Sequence, residues 1–172
     1  MITPEPWFAR TFAFDLQTDQ FPLIVERLRG TPARLEERLS TIAPAILTAQ
    51  PDGRWSIQEN VGHLLDLEPL WYGRIDDILA GVEVMRAADL SNTATHEADH
   101  NATPMPALLT AFRDARAQFV ARLDALDADA VMAAALHPRL RQPMRVLDLA
   151  FFVAEHDDHH LATISYLLRS KS

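Results

Sequence analysis

The stretch Ala154–Thr163 reads Ala-Glu-His-Asp-Asp-His-His-Leu-Ala-Thr and holds His156, His159 and His160, three of the chain's seven histidines. A neutral imidazole is a ready ligand for divalent transition metals. In an α-helix, residues four apart lie about 40° apart around the axis and about 6 Å along it. His156 and His160 therefore share one face, which also carries Leu149, Val153 and Leu167 and so should point into a core. His159 is rotated from His160 by about 100° and is expected to flank the site, beside Phe152 and Thr163. His63 lies on a stripe with Leu67, Leu70 and Arg74 and should also face inward. Bundles build metal sites from side chains on facing helices. Three imidazoles would leave a coordination position for water or substrate, as catalytic metal sites do. His63, His156 and His160 are thus the candidate ligands, with zinc or nickel the first candidate ions and manganese or iron the next.

Other polar residues carry a functional and a plainer reading. The segment from His156 to His160 approaches the His-Glu-x-x-His pattern of metalloproteases, with Asp157 in the place of the general base; a solvated helix-face charge is the plainer expectation. Glu59 is a second candidate base, but Ser56-Ile57-Gln58-Glu59 is a capping-box pattern. Glu59 and Asp66 flank His63 at i−4 and i+3. Arg74 and Trp71 are candidates to line a pocket, with core the plainer reading of Trp71. His96 and His100, an i, i+4 pair with carboxylates in a polar connection, could bind metal adventitiously, with solvated loop the plainer reading, and His137, before Pro138, reads as a turn residue.

Four long helical patterns must position these groups, and strand alternation is scarce. The first runs from Phe21 to Ile42, interrupted at Gly30-Thr31-Pro32, where Thr31 can cap and Pro32 can open a new helix; because the apolar phase carries through, a kink or two nearly collinear pieces are expected. The second starts after Ser56 and carries Pro69 inside it, which predicts a kink. The pattern then dissolves from Gly81 to about Thr103, a connection long enough to cross a bundle. A third helix restarts at Thr103-Pro104, with Leu108, Phe112, Ala115, Phe119, Leu123 and Leu126 in phase. Ala130 to Leu136 reads as a short helix, His137 to Pro143 as a loop, and Met144 to Leu168 as the last helix. The aromatic lead segment from Trp7 to Phe14 is expected to pack on the bundle. The fold expected is all-α: one domain over residues 1–172, a four-helix bundle with a long crossover between its second and third helices.

Composition narrows the classes. The 172 residues carry a net charge of −8 with scattered arginines, which speaks against nucleic acid as a partner. No apolar run is long enough to span a bilayer, and no signal-peptide pattern opens the chain. There is no cysteine, so any thiol in the chemistry must arrive with a substrate. The expected location is cytoplasmic and the expected partner a small molecule.

The segments WSIQENVGHLLDLEPLWYGRIDDIL and AEHDDHHLATI, with WFARTFAFDL and RLRGTPARLEERL before them, resemble the DinB-like family of four-helix bundle proteins. The resemblance implies a crossover bundle, a divalent metal on His63, His156 and His160, and frequent homodimers. It also implies relatives that use low-molecular-weight thiols, among them bacillithiol transferases and a mycothiol-dependent isomerase. Three readings follow. The first is a metal-dependent hydrolase or thiol S-transferase. The second is a non-catalytic metal- or ligand-binding bundle acting as a sensor or stress-response module. The third is a metal-free bundle whose histidines are satisfied by carboxylates and water.

Overall fold

The computed structural model describes residues 2–170. Its elements run α1 (Phe21–Leu39), α2 (Pro44–Leu47), α3 (Ile57–Leu79), α4 (Thr93–Glu97), α5 (Met105–Asp124), α6 (Ala128–Met132), β1 (Ala134–Leu136), β2 (Pro143–Arg145) and α7 (Val146–Ser170). The long helices α1, α3, α5 and α7 form the bundle. Both α1 and α3 pack against α5 and α7, so α1 and α3 stand diagonally, and the histidine-bearing α3 and α7 are neighbours.

Apolar periodicity explains the packing, and its interruption is as informative. One apolar cluster joins Ile24 and Leu28 of α1, Trp71 and Ile75 of α3, Phe119 of α5, and Leu149 and Val153 of α7. A second joins Leu35 and Leu39, Val61 and Leu64, Leu108 and Phe112, and Ile164 and Leu167 of the same helices. Between them in every helix lies a buried polar residue: Thr31, Glu68, Arg116 and Asp157. The core is two apolar halves with a charged layer at mid-height.

Several expectations are corrected here. α1 runs unbroken through Gly30-Thr31-Pro32. The Thr31 hydroxyl donates to Asp157 Oδ2 at 2.8 Å instead of capping a helix, and Pro32 is buried in the helix interior; packing overrides the local break signal. Pro69 lies inside α3, as read from the sequence, and does not end the helix. Ala134–Leu136 is a strand, paired antiparallel with Pro143–Arg145, because the chain turns extended at Ala133 (φ −60°, ψ 143°). Buried Arg116, not the half-buried Ala115, continues the inward stripe of α5.

The crossover of residues 81–103 is built, not loose. Met85 N donates to Leu136 O at 3.0 Å, and Leu136 N donates to Glu83 O at 2.9 Å. Arg86 reaches back to Asp77 with its backbone N–H and Nε, both at 2.8 Å. Gly62 lets the far end approach: a Cβ there would fall on the imidazole of His100. Gln58 Nε2 donates to His100 O at 2.6 Å and completes the anchor. Far from being solvated, His100 is buried; His96 is exposed.

Candidate metal centre

α3 and α7 bring His63, His156 and His160 together at their contact. One ligand atom from each lies within 4.8 Å of the other two, and all three residues are buried. Ring centroids are 4.5 Å apart for His156 and His160, 4.9 Å for His63 and His160, and 5.4 Å for His63 and His156. His159 lies beside them, its ring 5.2 Å from that of His160, half-buried on the same cavity wall.

Hydrogen bonds fix which nitrogen faces the centre. The Thr95 hydroxyl has one proton and donates it to Asp66 Oδ2 at 2.8 Å. Toward His63 Nδ1, at 3.1 Å, it can therefore only accept. His63 thus carries its proton on Nδ1 and keeps the Nε2 lone pair free. Asn60 Nδ2 donates to Ser56 O at 2.7 Å, which turns Asn60 Oδ1 to accept from His160 Nδ1 at 2.8 Å. His160 is held in the same tautomer. Such outer contacts orient ligating histidines in metal sites. His156 differs: its Nδ1 is buried and has no hydrogen-bond partner among the described residues.

Electrostatics agree with the geometry. Burial holds the His63 pKa down to about 4, against the opposing pull of Asp66. Burial, then the neighbouring imidazoles, pushes His156 and His160 well below the ordinary histidine range. All three are neutral near pH 7, the form that ligates. A buried orphan nitrogen, two lone pairs pre-aimed by Thr95 and Asn60, and an all-nitrogen donor set fit a borderline-soft divalent ion.

The trio sits on the wall of a cavity of about 740 Å3. All three tryptophans line it. Trp55 meets His63 at 4.7 Å, and Trp7 and Trp71 meet His156 at 4.9 and 5.7 Å between centroids. Trp7 comes from the lead segment, which packs on the bundle as expected. Arg74 and His137 also line the cavity. Burial lowers the Arg74 pKa to about 10, and burial beside Arg74 and Arg139 lowers that of His137 to about 3. His137 does hold a turn, its Nδ1 accepting from Arg139 N and Leu140 N, but it is buried.

Neither candidate base is free. Glu59 closes the capping box: its backbone N–H donates to Ser56 Oγ at 3.0 Å and its Oε2 accepts from Ser56 N at 2.7 Å. Asp157 is no solvated charge. It is fully buried, with both oxygens taken by Arg116 and Thr31. Thr95 and Asn60 are not singled out by the sequence, and the plainer reading of His100 there is solvated loop. Asn60 alone left a signal, a polar residue one turn before His63 on a helix of inward apolar residues.

No curated protein sequence gives a significant match. Solved structures share the fold, the following two among them. YfiT from Bacillus subtilis, a probable metal-dependent hydrolase with an unusual four-helix bundle topology, superposes with a TM-score of 0.81 at 21% identity, over 94% of this chain and 93% of that one. The mycothiol-dependent maleylpyruvate isomerase gives 0.65 at 14% identity, over 90% of this chain; the alignment spans only 63% of that protein. The DinB superfamily model matches residues 27–164, and with the crossover bundle around it this places the chain in the DinB superfamily.

Proposed function

We propose that this chain is a metal-dependent enzyme acting on a small molecule, with His63, His156 and His160 holding one divalent ion, zinc or nickel before manganese or iron. The observation that carries the reading is the convergence of three neutral, buried imidazoles on the wall of an open cavity. A bundle that only stored a metal would be expected to close it off with protein ligands. Bound there, a divalent ion supplies Lewis acidity, lowering the pKa of a water or thiol and polarising an electrophile.

The chain's own residues supply the rest. Thr95 and Asn60 hold two imidazoles in one tautomer, so neither ring has to reorganise when it ligates. Trp7, Trp55 and Trp71 present apolar faces that exclude water and seat the body of a substrate. His159, outside the trio, offers an imidazole at the cavity wall for proton transfer. Without a cysteine, S-transfer would need an external low-molecular-weight thiol. Hydrolysis and thiol transfer are therefore the two reaction classes proposed, with the homodimer of the resembling family as the proposed assembly.

The test is elemental analysis of untagged protein beside a His156→Ala variant, followed by ester and thiol-acceptor screens with and without chelator. About one ion per chain, lost in the variant, with turnover abolished by chelation and restored by one metal, is the expected result. Wild type that takes up no ion after dialysis against zinc and nickel would overturn it.

A further inference from the structure

The cavity wall away from the three imidazoles gathers hydrogen-bond donors without acceptors. His137 Nδ1 accepts twice, from Arg139 N at 3.2 Å and Leu140 N at 3.0 Å. A neutral imidazole has one proton, so His137 must carry it on Nε2. That atom faces Arg74 Nη1 at 3.1 Å. Two N–H groups therefore point at each other, and neither has an acceptor there. Arg74 is 2% exposed, and its Nε is spent on Arg86 O at 3.1 Å. Arg139 Nη2 and Trp71 Nε1 are also buried and unpartnered among the described residues. All four side chains line the one cavity.

The nearby acids do not answer this demand. Asp77 is engaged by Arg86. Asp89, the acid on the cavity lining, is exposed, and its oxygens accept from Ser91 and Thr93. In a chain of net charge −8, two guanidiniums at this wall make no ion pair among the described residues. Both lie over rings, Arg74 over Trp71 at 5.4 Å and Arg139 over Phe8 at 5.2 Å. Trp71 in turn meets His156, so one indole separates this cationic wall from the imidazole trio.

We propose that Arg74, Arg139 and His137 form an anchoring site for a carboxylate, and that the molecule this cavity takes is a small organic acid with an apolar body. A carboxylate brings acceptors only, with about four lone-pair sites on two oxygens, and it matches the planar fork of a guanidinium. The tryptophans would seat the apolar body and leave its reactive part toward the trio. A phosphate dianion would bring twice the charge into a largely apolar wall, at a greater desolvation cost. Calling this acid the substrate rests on the enzyme reading above; its binding does not.

The experiment is calorimetric titration of the metal-loaded protein, and of the same protein after chelation, with benzoate, phenyl phosphate and neutral benzamide. Benzoate is expected to bind best in both forms. Arg74→Gln and Arg139→Gln should each weaken benzoate at least tenfold and leave benzamide unchanged, and Arg74→Lys should recover part of the loss. Circular dichroism and metal content identify folded variants; if Arg74→Gln is unfolded, Arg139→Gln decides. Benzamide binding as tightly as benzoate, or arginine variants that bind benzoate like wild type, would overturn the proposal. Phenyl phosphate binding more tightly than benzoate would overturn the carboxylate class. Benzoate binding lost on chelation but kept in the variants would assign the carboxylate to the metal and overturn it too. Arginine-dependent benzoate binding in protein that takes up no metal would sustain the anchor while the metalloenzyme reading failed.

Discussion

Arg116→Met should be among the most destabilising single substitutions in this chain. Arg116, Glu68 and Asp157 are 1%, 4% and 0% exposed. The guanidinium donates to Glu68 Oε1 from Nε at 2.9 Å and Nη2 at 2.6 Å, to Asp157 Oδ1 from Nη2 at 3.0 Å, and to Asp157 Oδ2 from Nη1. One cation serves two carboxylates, so its removal leaves both acids buried without a counter-charge. Breaking a buried pair costs about 3–5 kcal/mol. At roughly 2–4 °C per kcal/mol for this size, the melting temperature should fall by about 10 °C. Burial already raises the Glu68 pKa, and Arg116 is what opposes the rise. Without it the folded-state pKa of Glu68 climbs further above its unfolded value of about 4. The native state then binds more protons than the unfolded state, so stability falls as pH rises through that window. Urea titrations at pH 5 and 7.5 should show the deficit against wild type shrinking at pH 5. Exchanging all three members together, Arg116→Met with Glu68→Met and Asp157→Leu, should return most of the loss, because apolar replacements of a whole buried ion group are often neutral or better. A loss below about 1 kcal/mol, or a deficit independent of pH, would refute the argument.

Thr95→Val removes the acceptor that fixes the His63 tautomer and should weaken metal binding by about 10–100-fold, read by competition with a chromophoric chelator; unchanged affinity would show that Thr95 orients nothing. Gly62→Ala places a Cβ on the His100 ring and should cost about 1–3 kcal/mol by overpacking, with faster hydrogen exchange in residues 93–103 as the local readout. Metal-free protein should lose stability in mild acid. His63 has a folded pKa of about 4 against about 6.5 unfolded; its contribution is complete above 6.5 and is lost as pH falls through 4. About 2–3 kcal/mol should vanish between pH 7 and 4.5, and the slope should be shallower in His63→Gln. Zinc at 100 times its Kd should raise unfolding free energy by about 2.7 kcal/mol in wild type and not in His156→Ala.

The uneven legibility of this fold has a physical cause. Helical periodicity reports what a residue faces when many residues agree, so Leu64, Trp71 and Ile75 announce an inward stripe of α3 together. It also placed His63, His156 and His160 on inward faces, because their apolar neighbours outvote them. The same stripe holds Glu68, and that of α5 holds Arg116 between Phe112 and Phe119. A lone charge on an apolar stripe reads as noise until its partner is known, and the partners are 48 and 41 residues away in sequence. The crossover hid its content for the opposite reason. Thr95 and His100 each bond Asp66 from a short helix and a 3-10 turn, with no period to report them.

These two hidden features act on the candidate site from opposite sides. Asp157 adjoins His156 on α7, and its bonds to Arg116 of α5, which also grips Glu68 of α3, fix α7 in register with α3. On the other side Asp66 collects Thr95 and His100 at 2.8 Å each and draws the crossover onto α3. The distance between His63 and the α7 pair is therefore set by a charged layer and a polar strap, neither of which touches the cavity centre. A defect in either should loosen the imidazole trio before it unfolds the bundle, so metal affinity should fall at substitutions such as Asp66→Asn that leave the melting temperature within a few degrees of wild type. If affinity and stability instead declined in proportion across such variants, the trio would be held by the fold as a whole and not by these two supports.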